Sequence, residues 1–477
     1  MSFISPEFIL FFIIVIPLYF LMAHRFRWLL LLIASYIFYA FGTLPYLPLV
    51  IFSTLVDYLA ARMIHQSDQA AKRKLWLIIS LSINLGILIF FKYSNFFIEA
   101  TFDGLSLFGI HSTIPQLDIL LPIGISFYTF QSMSYTIDVY KGKLKPEPNL
   151  GIMATYVAFF PQLVAGPIER ATHLLPQFHI KHHFNIDQAV EGFQRILWGF
   201  FKKVVIADRL ALYVNPVYGS LETYTGIQLI IATIFFAFQI YCDFSAYSDI
   251  AIGTAQIMGF KLMENFRQPY FSLSIREFWS RWHISLSTWF RDYVYIPLGG
   301  NRVSLPRNVI NLLIVFLLSG LWHGAGWTFI IWGALHGVAI ALQAIFNHFK
   351  IQILPQAKWL YWLLTFAFLC ITWVFFRANS LDDALYVFKH SFIWGQQTLW
   401  EPMQDGLFIA QVEFLLAIIL IFLLMFIDWF NSQYPFALFL ARIPLIPRWA
   451  IYYLFGAAIM FSGLYGSGAQ QFIYFRF

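Results

Sequence analysis

Residues 317–346 read "LLSGLWHGAGWTFIIWGALHGVAIALQAIF". The stretch is apolar almost throughout, yet it holds His323 and His336, each followed by glycine. No Asp, Glu, Lys or Arg occurs from Asn308 to Phe349, so two runs of bilayer-spanning length are joined without a hydrophilic loop. Gly324 and Gly326 supply the break between them. An ionisable side chain at membrane depth is expensive, and by default it marks a functional site or a specific packing partner.

The same apolar character extends over the whole chain. Of its 477 residues, 60% are hydrophobic, 20% aromatic and only 11% charged, against about 25% charged in an ordinary soluble protein. Apolar runs recur from end to end and no polar block is large enough for a separate soluble domain, which predicts one integral-membrane domain over residues 1–477. The net charge of +6 does not point to nucleic acid, because the lysines and arginines fall in short loops between spans. Cys242 and Cys370 both lie in apolar runs. That excludes a disulfide framework, a zinc finger and a thiol-redox motif, and leaves packing as their role. The opening stretch "MSFISPEFILFFIIVIPLYFLMAHRFR" places its positive charges after its apolar run. A cleavable signal peptide has the reverse order, so an uncleaved first span is expected.

Spans are predicted at roughly 8–22, 28–42, 45–61, 75–95 and 119–138. The loops 24–27, 62–74 and 141–149 are basic, whereas "GTLPY" and "TFDGLSLFGIHSTIPQLD" between them contain no Lys or Arg. By the positive-inside rule the basic loops are cytoplasmic and the N-terminus is extracytoplasmic. Past residue 150 the runs near 151–168 and 193–214 are interrupted by Pro, Gly and Lys-Lys. A long run at about 225–260 follows, then further spans near 308–323, 326–347, 357–376, 407–430 and 447–466. Broken helices at membrane depth occur only where they are buried in protein or line a cavity. No internal repeat or low-complexity segment is present, which weighs against an inverted-repeat transporter. The predicted fold is all-α, with about eleven or more transmembrane helices and added re-entrant or interfacial ones.

The most informative polar stretch is 274–302, "SIREFWSRWHISLSTWFRDYVYIPLGGNR". Ser274 followed three residues later by Glu277 fits a capping box. Ile275, Phe278, Trp279, Trp282, Leu286, Trp289 and Phe290 then form one helical face, with Arg276, Ser280, Arg281, Ser287 and Arg291 largely opposite. Three arginines in so short a helix predict an interfacial or re-entrant element, ended by Pro297, Gly299 and Gly300. His283 falls in the apolar stripe, where spacing alone allows a core histidine or a functional one. His323, at the glycine break, is open between the same two readings. His336 lies 13 residues further on, about 20 Å along a continuous helix, so it serves the same site only if the backbone turns back. Inside a smooth apolar run it reads as a packing or hydrogen-bonding residue. Asp243 and Asp249 sit in the apolar run "AFQIYCDFSAYSDIAIG" and need partners, for which the arginines of 276–302 are the candidates. The pair reads as ion-pair scaffolding or as part of a polar pathway. Neither H-x-x-E-H nor H-E-x-x-H spacing occurs, so no metal is assigned.

Five motifs in order resemble the membrane-bound O-acyltransferase family, and within it the bacterial branch that O-acetylates alginate and peptidoglycan. They are "PIGISFYTFQSMSYTIDVYKG" (122–142), "FPQLVAGPIER" (160–170), "YCDFSAYSDIAIG" (241–253), "FWSRWHISLSTWFRDYVYIPLGGNR" (278–302) and "LWHGAGWTFIIWGALHG" (321–337). The resemblance covers nearly the whole chain. The resemblance implies helices around a central funnel, with the family's catalytic histidine at His323 and its second important histidine at His283. Substrate-binding candidates are Trp282, Ser285, Arg291, Asp292, Asn301, Trp322 and Asp243. The implied donor is acetyl-CoA or another acyl thioester from the cytoplasm, with no bound cofactor. The implied setting is the bacterial inner membrane, amid its lipids, with a glycan acceptor or a periplasmic SGNH-type acetyltransferase as partner. Two other readings stand beside it: D-alanyl transfer from a carrier protein to teichoic acid, and a non-enzymatic glycan or lipid channel or flippase.

Overall fold

The structure, a computed structural model, describes residues 1–106, 108–109, 117–351, 357–393, 398–403, 407–433, 443–466 and 470–473. Every regular element among them is helical. Eight stretches of the described residues are helices long and apolar enough to cross a membrane, by length and composition: His24–Gln66, Ala70–Ser106, Ile227–Ile257, Leu305–His323, Trp327–His348, Lys358–Arg377, Ile409–Gln433 and Leu445–Ser462. The first holds two helices separated by a break, and a shorter apolar helix, Pro6–Leu21, precedes it. Their outward faces are apolar. Leu10, Ile13 and Ile14 of the first helix are exposed, as are Leu415, Ile419, Phe422 and Phe426 near the other end of the chain. Such faces fit hydrocarbon and not water.

The chain divides into two compact units. Unit 1 comprises residues 1–193 and 250–263. It begins with α1 (Pro6–Leu21), where Ser5 caps the Phe8 amide and proline occupies the first turn. Helix α2 (His24–Thr43) is broken near Gly42, whose φ of 120° only glycine adopts readily, and a single 3₁₀ turn leads into α3 (Leu47–Gln66). Helix α4 (Ala70–Ser106) extends past both ends of the expected span, and α5 runs Ile125–Tyr140. The expected helix at 119–138 therefore starts late. Gly124 precedes α5 at φ 79°, and a Cβ there would sit 2.8 Å from the Leu163 carbonyl oxygen.

A span was also expected at 151–168. Instead α6 stops at Ala158 (Leu150–Ala158), and residues 159–170 are buried as a series of turns, with isolated bonds such as that from the Leu163 amide to the Phe159 carbonyl, until α7 (Ala171–Phe178). Pro161, Gly166 and Pro167 account for the difference. Side chains take over the backbone's bonding: Ser35 accepts from the Phe160 amide at 3.0 Å, and Gln131 and Gln162 donate to the Tyr156 carbonyl at 2.7 and 2.9 Å. Helix α8 (Ile186–Phe200) begins in unit 1, and its last seven residues, 194–200, fall in unit 2.

Unit 2 comprises residues 194–249 and 264–477. A π-helical segment, Phe201–Ala207, leads into α9 (Asp208–Gly219), and α10 (Ile227–Ile257) follows, buried along most of its length. The single helix expected after Ser274 is in fact two short ones, α11 (Ile275–Arg281) and α12 (Ile284–Phe290), continued by a π turn at Arg291–Tyr295. The N-cap half of the capping box holds, Ser274 accepting from the Glu277 amide at 3.1 Å, while the Glu277 carboxylate reaches one residue further and accepts from the Leu273 amide at 2.7 Å. Helices α13 (Leu305–His323) and α14 (Trp327–His348) form a hairpin around Gly324–Gly326. Glycines let them touch. A Cβ on Gly333 would lie 2.3 Å from the Phe316 carbonyl oxygen, and one on Gly320 the same distance from that of Phe329. Helices α15 (Lys358–Arg377), α16 (Leu381–His390), α17 (Leu407–Gln433) and α18 (Leu445–Ser462) complete the unit.

Candidate active site

His323 is the last residue of α13, and it is almost fully buried. Gly324 ends the helix in an extended conformation, and its importance is room: a Cβ there would overlap the Phe329 ring. The His323 imidazole meets the rings of Trp322 and Trp332 edge-on at 4.9 Å each, and that of Phe376 on α15 at 5.3 Å. These aromatics exclude water from one nitrogen-bearing ring at a helix end.

His283 arrives from a separate element. It is wholly buried and occupies the junction between α11 and α12, with φ 43° and ψ 52°. A non-glycine residue in that left-handed conformation costs about 1–3 kcal/mol, and persists where its surroundings over-determine it. Here Asn265 does so. Its backbone carbonyl accepts from the Ile284 amide at 3.0 Å, and its side-chain oxygen accepts from the Ser285 amide and hydroxyl at 3.2 and 2.9 Å. The Asn265 amide nitrogen in turn donates to Ser248 on α10 at 3.1 Å. The turn swings His283 out of the helical stripe in which sequence spacing had placed it. Its ring then meets Phe244 at 4.6 Å, Trp322 at 5.6 Å and His323 at 6.1 Å.

Three of the candidates, His283, His323 and Trp322, are thus brought into one cluster. Ser285 supports it through Asn265. Trp282 is packed against Phe266, Phe278 and Trp373 at 5.0–5.4 Å, on the aromatic side of the turn. Arg291 pairs with Asp292 at 2.8 Å and, with Arg276, Trp279, Ser287, Asn301 and Ser319, lines a cavity of about 630 Å³. Ser287 donates its amide to the His283 carbonyl, and Ser319 stands one turn before His323 on α13. The cavity wall is therefore continuous with both histidine-bearing elements.

Asp243 and Asp249 do not pair with the arginines of 276–302. Arg281 is taken by Glu277 at 2.6 Å and Arg291 by Asp292. Asp243 instead meets Lys203 at 2.6 Å and accepts from the Ile473 amide at 2.7 Å; Lys203 also meets Asp208 at 2.8 Å. Asp249 pairs with Lys202 at 2.6 Å and Arg195 at 2.9 Å. The π-helical segment brings both adjacent lysines to buried carboxylates, which a regular surface helix would not do. The signal was available as two lysines inside an apolar run, where unpaired charge is untenable. No local sequence signal marked Asn265 or Phe244.

His336 behaves as its surroundings suggested. Past the hairpin it packs beside Phe316, two turns before His323 on α13, and Trp332 stands between the two imidazoles, 4.9 Å from one ring and 4.8 Å from the other.

The profile of the membrane-bound O-acyltransferase family matches residues 144–381, a range that includes both clustered histidines. The chain is 44% identical over 417 residues to a probable alginate O-acetylase AlgI of Pseudomonas aeruginosa, covering 86% of this chain and 79% of that protein. It is 40% identical over 388 residues to the peptidoglycan O-acetyltransferase of Helicobacter pylori, covering 75% and 72%. Similarity to the teichoic acid D-alanyltransferase of Bacillus subtilis is lower, 29% over 291 residues, covering 56% and 71%.

Proposed function

The chain belongs to the membrane-bound O-acyltransferase family, and from that premise we propose that this multi-pass membrane acyltransferase moves an acetyl group from a cytoplasmic thioester across the membrane for O-acetylation of a cell-surface polysaccharide. The observation that carries the reading is the pair of buried imidazoles, His283 and His323, 6.1 Å apart at two helix breaks.

Transfer from a thioester to a hydroxyl requires the hydroxyl to lose its proton as it attacks. His323 takes that proton as general base while the oxygen bonds to the acyl carbon. His283 stabilises charge developing on the carbonyl oxygen. The C–S bond then breaks, and the departing thiolate recovers the proton from the His323 imidazolium. Trp322 fixes the relative orientation of the two rings. Arg276 and Arg291 suit the phosphate groups of a donor such as acetyl-CoA. The basic loops face the cytoplasm, the N-terminus lies outside, and the membrane is the bacterial inner one. The acceptor is a glycan hydroxyl, reached directly or through a periplasmic SGNH-type acetyltransferase.

Relatives named as O-acetylating enzymes are more similar to this chain than the one named for D-alanyl transfer, which favours acetyl. Mass analysis of surface glycans separates the two, since acetyl and alanyl esters differ in mass. Deleting the protein removes acetyl esters, and His323→Ala or His323→Asn at matched membrane levels lowers transfer by about 10²–10⁴-fold. Near-normal acylation in either variant would overturn the role of His323. A channel would instead tolerate any small or polar residue there.

A further inference from the structure

Three carboxylates in unit 2 each stand next in sequence to a residue that holds His283 or its turn. Asp243 precedes Phe244, whose ring meets the His283 ring at 4.6 Å. Asp249 follows Ser248, which accepts from the Asn265 amide nitrogen at 3.1 Å. Glu264 precedes Asn265 itself, the acceptor for the Ile284 and Ser285 amides.

All three carboxylates are gripped from one helical run, α8 and the π-helical segment that continues it. Lys203 lies 2.6 Å from Asp243, and Lys202 lies 2.6 Å from Asp249. Arg195 meets Asp249 at 2.9 Å and donates through both terminal nitrogens to Glu264, at 2.6 and 2.5 Å. Lys203 is fully buried and Lys202 nearly so. Buried ion pairs add little net stability over well-packed apolar side chains of similar volume. What they add is position. Apolar helix faces can slide and rotate on one another, whereas a lysine drawn away from its carboxylate leaves two charges uncompensated at membrane depth. Asp243 and Asp249, six residues apart, lie about 120° apart around α10, so two grips fix both its rotation and its height. Phe244 and Ser248, four apart, share a third face, the one turned to His283 and Asn265.

We propose that Arg195, Lys202 and Lys203 are positioning residues for acyl transfer, which set α10 and the chain at Asn265 so that His283 is held toward His323. They act through the peptide bond that joins each acid to its neighbour, and not by touching substrate. The proposal rests on the acyl-transfer reading of the two histidines.

The test compares membranes carrying matched levels of wild type, His323→Ala, Asp243→Glu, Glu264→Gln and Glu413→Gln. One readout is the initial rate of thiol release from acetyl-CoA, resolved into kcat and KM. The other is the rate at which diethyl pyrocarbonate modifies His283, followed by mass spectrometry. Asp243→Glu keeps the charge and adds one methylene, moving α10 by about 1 Å, and misplacement of that size costs about 10- to 100-fold in rate. kcat is expected to fall by that factor with the KM for acetyl-CoA unchanged, and the buried His283 to be modified faster. Glu264→Gln, on a side chain 39% exposed, follows the same pattern without threatening folding, and it decides if Asp243→Glu does not accumulate. Glu413→Gln breaks the Arg209 pair at 2.6 Å, outside the three grips, and lowers the melting temperature without either change. Wild-type kcat and wild-type modification of His283 in Asp243→Glu and Glu264→Gln overturn the proposal, as does a kcat loss that Glu413→Gln equals. If wild type releases no more thiol than His323→Ala, the acyl-transfer reading fails, and modification of His283 alone then decides whether the grips hold its turn.

Discussion

The indole nitrogen of Trp279 donates to Nδ1 of His336 at 3.2 Å. That bond places the His336 proton on Nε2 and gives the residue a structural task on α14, facing α11 and away from the His283–His323 cluster. Five aromatic rings, those of Phe278, Trp279, Phe316, Trp332 and Phe368, surround the imidazole within 6.4 Å.

His336→Gln is therefore expected to retain most acyl transfer, because the carboxamide oxygen can still accept from Trp279. Its melting temperature should fall by an amount matching about 1 kcal/mol, the usual worth of one imperfectly replaced hydrogen bond. Acylation assays and thermal unfolding on the same preparation check both. A loss of activity as deep as that of His323→Ala, with normal protein levels, would contradict the separation of roles.

The left-handed backbone at His283 allows its conformational and chemical contributions to be separated. Asparagine tolerates that conformation better than alanine, and neither supplies an imidazole. Both His283→Asn and His283→Ala should lose acyl transfer, with the asparagine variant melting higher. Activity near wild type in His283→Asn would reduce the residue to a turn-former.

Asn265 is expected to matter although it carries no chemistry. In Asn265→Ala the Ser285 amide and hydroxyl lose their buried acceptor, at about 1–3 kcal/mol for each group left unsatisfied. Melting temperature and activity should fall together, and Asn265→Asp should recover part of both, since it still accepts from Ser285. An alanine variant that melts like the wild type would show that the turn stands without this residue.

The hairpin glycines differ in a way that a pair of substitutions can read. Gly333→Ala drives a methyl against the Phe316 carbonyl, which should cost about 1–3 kcal/mol and displace His323 through α13. Gly326→Ala meets nothing closer than 3.7 Å at an extended backbone position and should be nearly silent. Equal melting temperatures for the two variants would refute the close approach of the helices.

Hydropathy and charge spacing, read along the chain, were enough to establish membrane embedding, the glycine break at 324–326 and the capping box at Ser274, because each depends on neighbours within a few residues. Motif resemblance marked His283 and His323 for the same reason: the motifs are contiguous. Several matters were decided only by packing. These were the left-handed turn that carries His283 out of its helical stripe, the choice of Lys203 and Lys202 over the later arginines as partners for Asp243 and Asp249, and the Trp332 ring that parts His336 from His323. Each joins residues from different helices. Whether two buried groups meet depends on helix rotation, crossing and the space that glycine leaves, none of which is a property of any single segment.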